Sequence, residues 1–485
     1  MYLLVRTMTG QPFAAAIAGF VYAFALPRIA QLNHMQLLSM QWTPLIILLL
    51  FMFMRSQKLS LLAGFGALSL LQILCSLYIG YLSLLIVTCY LIGLAIMRRD
   101  LFSVRVLRNL TIAAALGALV ILPIGRHYQK WQRSAWFSET TLKAGAIGAS
   151  ADPRSSYLQV AGFPHHIYRH LLQRFNSSEV QDEKVLFMGF VPMTLALIGT
   201  LAGLRLRRKH PEPPTGQPRQ TLFDDFKTSF RLGSILTVVC AYILSLGPYL
   251  RIHDQPTQTQ LPYRLLQEVL PGLGSFRVPA RFGLAVLFGV AVLAALGFSA
   301  IIETIPIRYS RAVRVIGLMF AIAMMSLEFY GAPIGLAAVM APSQVAPEYQ
   351  WLASRPAGAV TLELPMSRFA PYASDELPDP FEQAGYVFAS VYHWQPLMDG
   401  YTGNPPAAFL QTLRLGRQLP EPSAVEGLSR LGMHFVVVHF DHMPAGEMER
   451  WRQKEPASGL HEIVHFQDGA VIYETETNRL GLPHR

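Results

Sequence analysis

The sequence predicts an α-helical polytopic membrane domain of about nine spans, followed by a small extracytoplasmic α/β domain. Three observations support this fold class. Of the 485 residues, 52% are hydrophobic and only 14% are charged, whereas soluble domains carry about 25% charged residues. Apolar runs close to the roughly 20 residues that cross a bilayer recur through the first two-thirds of the chain. Beyond about residue 341, short β-rich runs replace them.

The nine predicted spans share near-bilayer length and an interior almost free of charge. They are residues 11–26, 37–54, 59–77, 81–97, 107–124, 186–204, 232–250, 282–302 and 315–330. Only residues 78–80 separate the third span from the fourth, which predicts a tight hairpin. A polytopic domain over residues 1–335 follows. A signal peptide cleaved after Ala23-Phe24-Ala25 is an alternative interpretation of the N-terminus.

Basic residues predict the orientation, because cytoplasmic loops of membrane proteins are enriched in Lys and Arg. The formal net charge is +10, and with Arg6 in the cytoplasm every basic cluster falls on that side. These clusters contain Arg55, Lys58, Arg98, Arg99, Arg105, Arg108, Arg205, Arg207, Arg208, Lys209, Arg308, Arg311 and Arg314. The long loops 125–185 and 251–281 then lie outside, together with residues 336–485. The basic charge therefore indicates a lipid bilayer as partner, and no nucleic acid.

The C-terminal domain, residues 336–485, has a normal size for one core. Strands are predicted at 360–364, 435–440, 463–466 and 471–473, with helices at 407–416 and 423–431. His461-Glu462-Ile463-Val464-His465 matches a zinc-protease pattern, but the following Gln467-Asp468-Gly469 is a turn signal between two β-rich runs. We interpret the segment as a hairpin, where the two histidines lie too far apart to bind one zinc.

Other signals exclude several site classes. The three cysteines, Cys75, Cys89 and Cys240, lie in apolar runs and indicate neither disulfides nor a metal site. No nucleotide-binding glycine loop follows a strand. Residues 209–220 are rich in Pro and polar side chains, which is typical of a flexible linker.

Several motifs, in their order along the chain, resemble bacterial type C (GT-C) glycosyltransferase-like membrane proteins, close to the YfhO-type group. The matching stretches are Tyr2-Leu3-Leu4-Val5-Arg6 with Thr9-Gly10, Ala18-Gly19-Phe20-Val21-Tyr22-Ala23-Phe24, His34-Met35-Gln36-Leu37, Gln41-Trp42-Thr43-Pro44-Leu45, Ser76-Leu77-Tyr78-Ile79-Gly80, Phe276-Arg277-Val278-Pro279-Ala280-Arg281-Phe282, Glu363-Leu364-Pro365, His393-Trp394-Gln395-Pro396-Leu397 and Gly400-Tyr401-Thr402-Gly403.

The resemblance implies transfer of a sugar from a polyprenyl-phosphate-linked donor, on the extracytoplasmic face of the bacterial cytoplasmic membrane. It implies a catalytic acidic residue in the first outside loop, which we expect upstream of Met1 in a longer protein. A divalent cation as cofactor stays open. The alternative is a non-catalytic membrane protein that binds or moves a lipid-linked glycan during cell-envelope assembly. The donor sugar and the glycan or envelope acceptor are not specified by the sequence.

Arg277 and Arg281 are the candidate phosphate-binding residues. Pro279 between them suits the first turn of a helix, and the N-terminus of that helix would point outward. Free backbone N–H groups and the helix dipole favour an anion there. Interfacial anchoring by snorkelling arginines is the alternative.

Tyr78, Tyr81 and His34 are candidate substrate-binding residues near the predicted outer interface. Aromatic residues also form belts at both interfaces, so a sugar-stacking role competes with simple anchoring. Glu328 lies about one turn from the outer end of the last predicted span. An acidic residue in a span is a functional candidate unless it reaches water.

The outside loop 125–185 carries further polar candidates, namely Glu139, Asp152, His165, His166, His170, Asp182 and Glu183. His166 and His170 would share a helix face as a metal pair, although no third ligand is fixed by spacing. The commoner outcome for such a segment is an amphipathic surface helix with Ile167, Leu171 and Leu172 toward lipid, so we predict no metal ligands.

Overall fold

The computed structural model describes the chain except at residues 135–144, 161–162, 164, 176–181, 207–225, 271, 305–309, 333–338, 367–379, 401–406, 444, 454–458 and 477–485. The chain divides into two compact units. The first comprises Met1–His127 and Glu139–Gly335, and the second comprises Tyr128–Ser138 and Leu336–Arg485.

The first unit is helical, with one two-stranded hairpin. Its helices are α1 (Tyr2–Thr9), α2 (Pro12–Phe24), α3 (Leu26–Ile29), α4 (Met35–Leu38), α5 (Thr43–Ser56), α6 (Leu59–Cys75), α7 (Leu77–Met97), α8 (Val104–Ser134, whose last residues belong to the second unit), α9 (Ser155–Leu158), α10 (Arg169–Leu172), α11 (Phe190–Leu206), α12 (Lys227–Ser245), α13 (Pro262–Val269), α14 (Gly283–Glu303) and α15 (Ser310–Glu328). Short 3-10 turns include Asp182–Lys184, Leu273–Ser275 and Pro279–Phe282.

Six helical segments among the described residues are long and apolar enough to cross a bilayer. They are Pro12–Ile29, Met35–Ser56, Leu77–Met97, Val104–His127, Lys227–Ser245 and Pro279–Glu303. Each coincides with a predicted span, so the prediction of a membrane protein is supported. Helix α6 and the apolar part of α11 are shorter, and α15 carries Arg311, Arg314 and Glu328. The count of nine spans therefore stays a prediction.

Helix α14 is the central helix of the first unit, because almost all of its residues are buried. It packs against α2, α11 and α12. A Cβ added at Gly297 would lie 1.9 Å from the carbonyl oxygen of Leu195, and one at Gly199 would lie 2.1 Å from that of Leu293. Small residues let helix backbones approach closely inside membranes. Gly199 and Gly297 thus permit the close crossing of α11 and α14.

The connections differ from the predicted ones in two places. Ser76 alone separates α6 from α7, and its hydroxyl accepts a hydrogen bond from the Ile79 N–H. The predicted turn at 78–80 is therefore wrong, because these residues form the first turns of α7. Helix α8 continues to Ser134, beyond the predicted end at residue 124.

The predicted outside loop 251–281 has its own structure. It contains most of an antiparallel hairpin of β1 (Tyr249–Ile252) and β2 (Gln255–Gln260), followed by α13. Strand β2 has the sequence Gln-Pro-Thr-Gln-Thr-Gln. Because it lacks apolar alternation, hydropathy gives no strand signal there.

The second unit contains a four-stranded sheet of β3 (Thr361–Leu364), β4 (Phe435–His439), β5 (Leu460–His465) and β6 (Ala470–Thr475), in the order β3-β4-β6-β5. Strands β3 and β4 are parallel, and the other pairs are antiparallel. The helices are α16 (Pro347–Ala353), α17 (Pro380–His393), α18 (Ala407–Gly416), α19 (Pro422–Arg430) and α20 (Ala445–Arg452). Strands β5 and β6 form the hairpin predicted over the zinc-protease-like segment.

Both faces of this sheet are covered, which explains its apolar strands. Leu362 and Val436 belong to one apolar cluster together with residues of α18 and α19. Val437 and Ile472 point to the other face, where Tyr349 and other residues of α16 and α17 pack. Alternation along β3 places Glu363 on this second face, in a position where an apolar residue would be expected.

Candidate functional site

One cluster in the first unit joins four of the residues singled out by the sequence. Arg281, Tyr78 and His34 meet there around Glu183, a carboxylate of the long loop before α11. His34 precedes α4, Tyr78 lies in the first turn of α7, and Arg281 lies in the 3-10 turn that leads into α14. We call His34, Tyr78, Glu183 and Arg281 the arginine cluster.

Arg281 is the centre of this cluster and is almost withdrawn from solvent, with 6% of its side chain exposed. Its Nη2 forms an ion pair with Oε1 of Glu183. Its guanidinium carbon lies 4.5 Å from the ring centroid of Tyr78, within cation–π range. Its Nε is buried without a hydrogen-bond partner among the described residues. The guanidinium therefore keeps an unused donor.

Glu183 also faces His34, whose Nε2 lies 3.4 Å from the same Oε1. The other ring nitrogen of His34 lies 2.9 Å from the side-chain oxygen of Asn33. A single carboxylate oxygen thus contacts a guanidinium and an imidazole. Sequence reasoning named Glu183 only as one of several loop acids, since nothing in the spacing links position 183 to position 34 or 281.

Tyr78, Tyr81 and Phe276 form an aromatic wall beside the cluster. The Tyr78 ring lies 4.2 Å from that of Phe276 between centroids, and Tyr81 lies 5.1 Å from the same ring. The Arg277 backbone N–H donates to the Tyr78 hydroxyl at 3.4 Å. The rings are packed against each other and against protein, so stacking with a sugar would use only their remaining exposed area.

Arg277 lies next to this wall, but no contact joins it to Glu183. Its Cγ would be 2.8 Å from a Cβ added at Gly145, so its aliphatic part lies against that glycine. The side chain is partly exposed. The two predicted phosphate-binding arginines therefore differ in environment: Arg281 is buried and paired, whereas Arg277 is accessible.

The structure places Glu328 apart from the arginine cluster. Its fully buried carboxylate accepts hydrogen bonds from the Phe190 N–H, the Val191 N–H and the Tyr168 hydroxyl. The first N–H groups of a helix have no partners within the helix, and a carboxylate there satisfies them and favours the dipole. Glu328 thus caps α11 from the end of α15, which accounts for its burial without a substrate.

The shared helix face that would make His166 and His170 a metal pair is not formed in this described segment. Helix α10 begins only at Arg169, so the two histidines do not share a helix face. The His166 Nε2 lies 2.7 Å from the Glu328 carbonyl oxygen, and burial lowers the pKa of His166 although this hydrogen bond opposes the effect. Among the described residues no group of three or more His, Cys, Asp or Glu side chains could hold a metal ion.

The remaining loop candidates have separate environments. The surface-helix alternative fails for Leu172, which is buried, whereas Ile167 and Leu171 are exposed. Asp152 accepts hydrogen bonds from the backbone N–H groups of Arg154 and Ser155 and organises its own turn. His165 is exposed. Glu139, the side chain of Asp182 and the linker 209–220 lie outside the described residues.

The second unit holds a buried polar cluster that sequence reasoning missed. Oε2 of the fully buried Glu363 accepts a hydrogen bond from the Tyr349 hydroxyl at 2.9 Å and lies 3.2 Å from Nε2 of His439. Nδ1 of His439 lies 3.8 Å from Oε1 of Glu348. Both imidazole nitrogens thus face carboxylates, an arrangement that favours the doubly protonated ring.

Three pKa shifts follow from this arrangement. Burial lowers the pKa of His439, but the hydrogen bond and charge of Glu363, with the charges of Glu348 and Asp468, outweigh it and leave the pKa above its ordinary 6.5. Burial raises the pKa of Glu348. Burial, aided by the Glu363 charge, raises the pKa of Asp399 well above its ordinary 3.8. The cluster therefore holds extra protons in the folded protein.

In the sequence, this cluster is marked by the motif Glu363-Leu364-Pro365, whose residue types alone do not indicate a buried polar pair. A scan of the chain against protein-family models finds no match. A search of curated protein sequences also finds no match.

Proposed function

We propose that this protein acts on a polyprenyl-phosphate-linked sugar at the extracytoplasmic face of a bacterial cytoplasmic membrane, with Arg281 and Arg277 binding the phosphate. The supporting observation is the buried guanidinium of Arg281, whose Nε has no hydrogen-bond partner among the described residues. It lies at the start of the most apolar of the six candidate spans found in the described part of the chain. Arginine presents a planar fork that matches phosphate oxygens. The start of α14 adds the partial positive charge of a helix N-terminus.

In a transfer reaction, an acceptor hydroxyl would attack the anomeric carbon as the bond to the phosphate breaks. The electron pair of that bond goes to the phosphate oxygen, which gains negative charge in the transition state. A fixed guanidinium stabilises this charge more than it stabilises the bound donor, so it favours the reaction. The proton of the acceptor hydroxyl passes to an acidic residue that acts as general base, as the resemblance implies.

The alternative function is binding or movement of the lipid-linked glycan without chemistry. The arginine cluster suits it equally well, because phosphate binding alone requires no general base. Transfer of a radiolabelled sugar from a polyprenyl-phosphate donor to an envelope fraction distinguishes the two functions. A labelled product indicates an enzyme, and donor binding without a product indicates the non-catalytic protein.

Phosphate binding is tested with the full chain in lipid nanodiscs and polyprenyl monophosphate as the probe. We expect saturable binding that R281Q weakens at least tenfold, since hydrogen bonds to charged groups contribute about 1.5–3 kcal/mol. The control is R105Q, an exposed arginine at the start of α8, which should leave the affinity unchanged. Equal losses in R281Q and R105Q would contradict the proposal.

Further arms of the same experiment identify the ligand. Inorganic phosphate and phosphatidic acid carry the same chemical group without the polyprenyl chain, and both should bind more weakly.

A C-terminal phosphatase or fluorescent-protein fusion shows on which side of the membrane residues 336–485 lie. Activity of the reporter only in the cytosol would overturn the proposed location of residues 336–485, and with it the extracytoplasmic reaction.

A further inference from the structure

The Nε and Nη2 of an arginine form one edge of its guanidinium fork, and Glu183 uses only half of that edge on Arg281. Oε1 of Glu183 contacts Nη2, while Nε has no hydrogen-bond partner among the described residues. A carboxylate held for structural reasons would gain most by accepting both donors. The pairing is thus incomplete, although both side chains are largely shielded, with 6% and 18% exposed.

We infer that Glu183 is a resident counter-ion, which the phosphate of an incoming ligand displaces from Arg281. This inference rests on the proposed function and assigns a role to a residue outside its predicted phosphate-binding pair. A phosphate offers several oxygens and can occupy Nε and Nη2 together, so it satisfies the donor that Glu183 leaves unused. Glu183 is then a positioning residue, since it acts on the ligand through Arg281.

The surroundings supply a place for the displaced carboxylate. The Nε2 atom of His34 lies 3.4 Å from Oε1 of Glu183. When the phosphate takes the guanidinium edge, Glu183 keeps this imidazole as a partner. Pairing with Glu183 spares Arg281 the cost of an isolated buried charge before the phosphate binds. When the ligand binds, its phosphate replaces the Glu183 carboxylate as the anion beside Arg281.

If Glu183 and the phosphate compete for Arg281, changes at Glu183 and at Arg281 alter the phosphate affinity in opposite directions, which a purely structural role of Glu183 would not produce. Removing the negative charge of Glu183 should strengthen phosphate binding, whereas removing Arg281 should weaken it. We expect E183Q to bind polyprenyl monophosphate about tenfold more tightly than the wild type, because the phosphate no longer displaces a carboxylate. The matched control is E268Q, an exposed glutamate of α13, whose affinity should equal that of the wild type.

The outcomes separate this inference from the proposed function. If the wild-type protein does not bind the probe, the proposed phosphate site fails. If the wild type binds and E183Q binds equally or more weakly, the phosphate site stands and the counter-ion role of Glu183 is overturned. The double variant E183Q/R281Q should lose the gain of E183Q, because the gain operates through the guanidinium.

A second variant covers the case in which E183Q does not fold. E183D keeps the charge but shortens the side chain by one methylene, so it pairs less well with Nη2. We expect E183D to bind the probe a few-fold more tightly than the wild type, with a melting temperature close to it. Unchanged or weaker binding by a folded E183D would overturn the inference.

Discussion

Replacing His439 by Gln tests the buried polar cluster of the second unit most directly. The imidazolium lies between Oε2 of Glu363, at 3.2 Å, and Oε1 of Glu348, at 3.8 Å. Glu363 is fully buried and its Oε1 has no hydrogen-bond partner among the described residues. After the substitution, the Tyr349 hydroxyl still donates to this carboxylate, but the positive charge of the imidazolium is gone.

The size of the destabilisation in H439Q follows from the Glu363 carboxylate, which stays buried without its positive partner. Removing one partner of a buried ion pair typically costs about 3–5 kcal/mol, because the remaining charge is buried and uncompensated. We expect H439Q to lower the free energy of opening of β3 and β4 by about 3 kcal/mol, the lower end of that range, since Gln can still donate one hydrogen bond. That value corresponds to roughly a 150-fold faster amide exchange, at a tenfold change per 1.4 kcal/mol.

Hydrogen exchange of the full chain in detergent, read by mass spectrometry on peptides of β3 and β4, measures this opening. The control is H465Q, an exposed histidine of β5, which should change the exchange of β3 and β4 by less than twofold. The double variant H439Q/E363Q should recover much of the loss, because it removes both charges. The reasoning is refuted if H439Q speeds the amide exchange of β3 and β4 by less than twofold. It is also refuted if the effects of H439Q and E363Q simply add in the double variant.

Three further predictions follow from the geometry. The folded-state pKa of His439, Glu348 and Asp399 is raised in each case, so the folded state binds more protons than the unfolded state. The free energy of opening should therefore fall as the pH rises from about 4 through 7. Amide exchange, corrected for its intrinsic pH dependence, measures this slope, and D399N should make the slope shallower. E328A should destabilise α11 by about 2–3 kcal/mol, because it removes three hydrogen bonds to a charged acceptor. It should lower the melting temperature more than the control E303A does. Folded E328Q should still bind polyprenyl monophosphate. G297A should lower the melting temperature strongly, since its Cβ would meet the Leu195 carbonyl oxygen, whereas G117A, with open space around it, should not; equal effects of the two would contradict the close crossing.

Hydropathy predicted the helices well because a bilayer imposes length and apolarity on each span separately. Every predicted span coincides with a helix. The six segments that meet the length and hydropathy requirements match their predicted bounds within five residues at each end. The β5–β6 hairpin was equally predictable, since its turn and β-branched residues are local. The β1–β2 hairpin was missed because polar side chains in β2 carry no periodic signal.

The polar partners could not be predicted, because each contact depends on how distant segments pack. Glu328 was recognised as unusual, but its partners Phe190 and Val191 lie more than 130 residues away. Glu363 lies between the apolar residues Leu362 and Leu364 of its strand. Its pairing with His439 therefore required knowledge of the parallel register of β3 and β4. Residue type suggested that these groups matter, whereas only the fold shows what they contact.

For the arginine cluster, the order of helices along the chain predicts which residues lie at the same end of the unit, whereas the contacts between these residues depend on packing. Consecutive antiparallel helices return to the same end at every second connection, so the segments that contain His34, Tyr78, Glu183 and Arg281 are all placed at one end of the first unit. Alternation along the chain therefore predicts a common layer for these residues. The packing of α14 against α2 and α11 then decides which of them meet. Arg281 lies in the 3-10 turn that leads into α14, where its guanidinium contacts Glu183 and the proposed anionic ligand would compete for it.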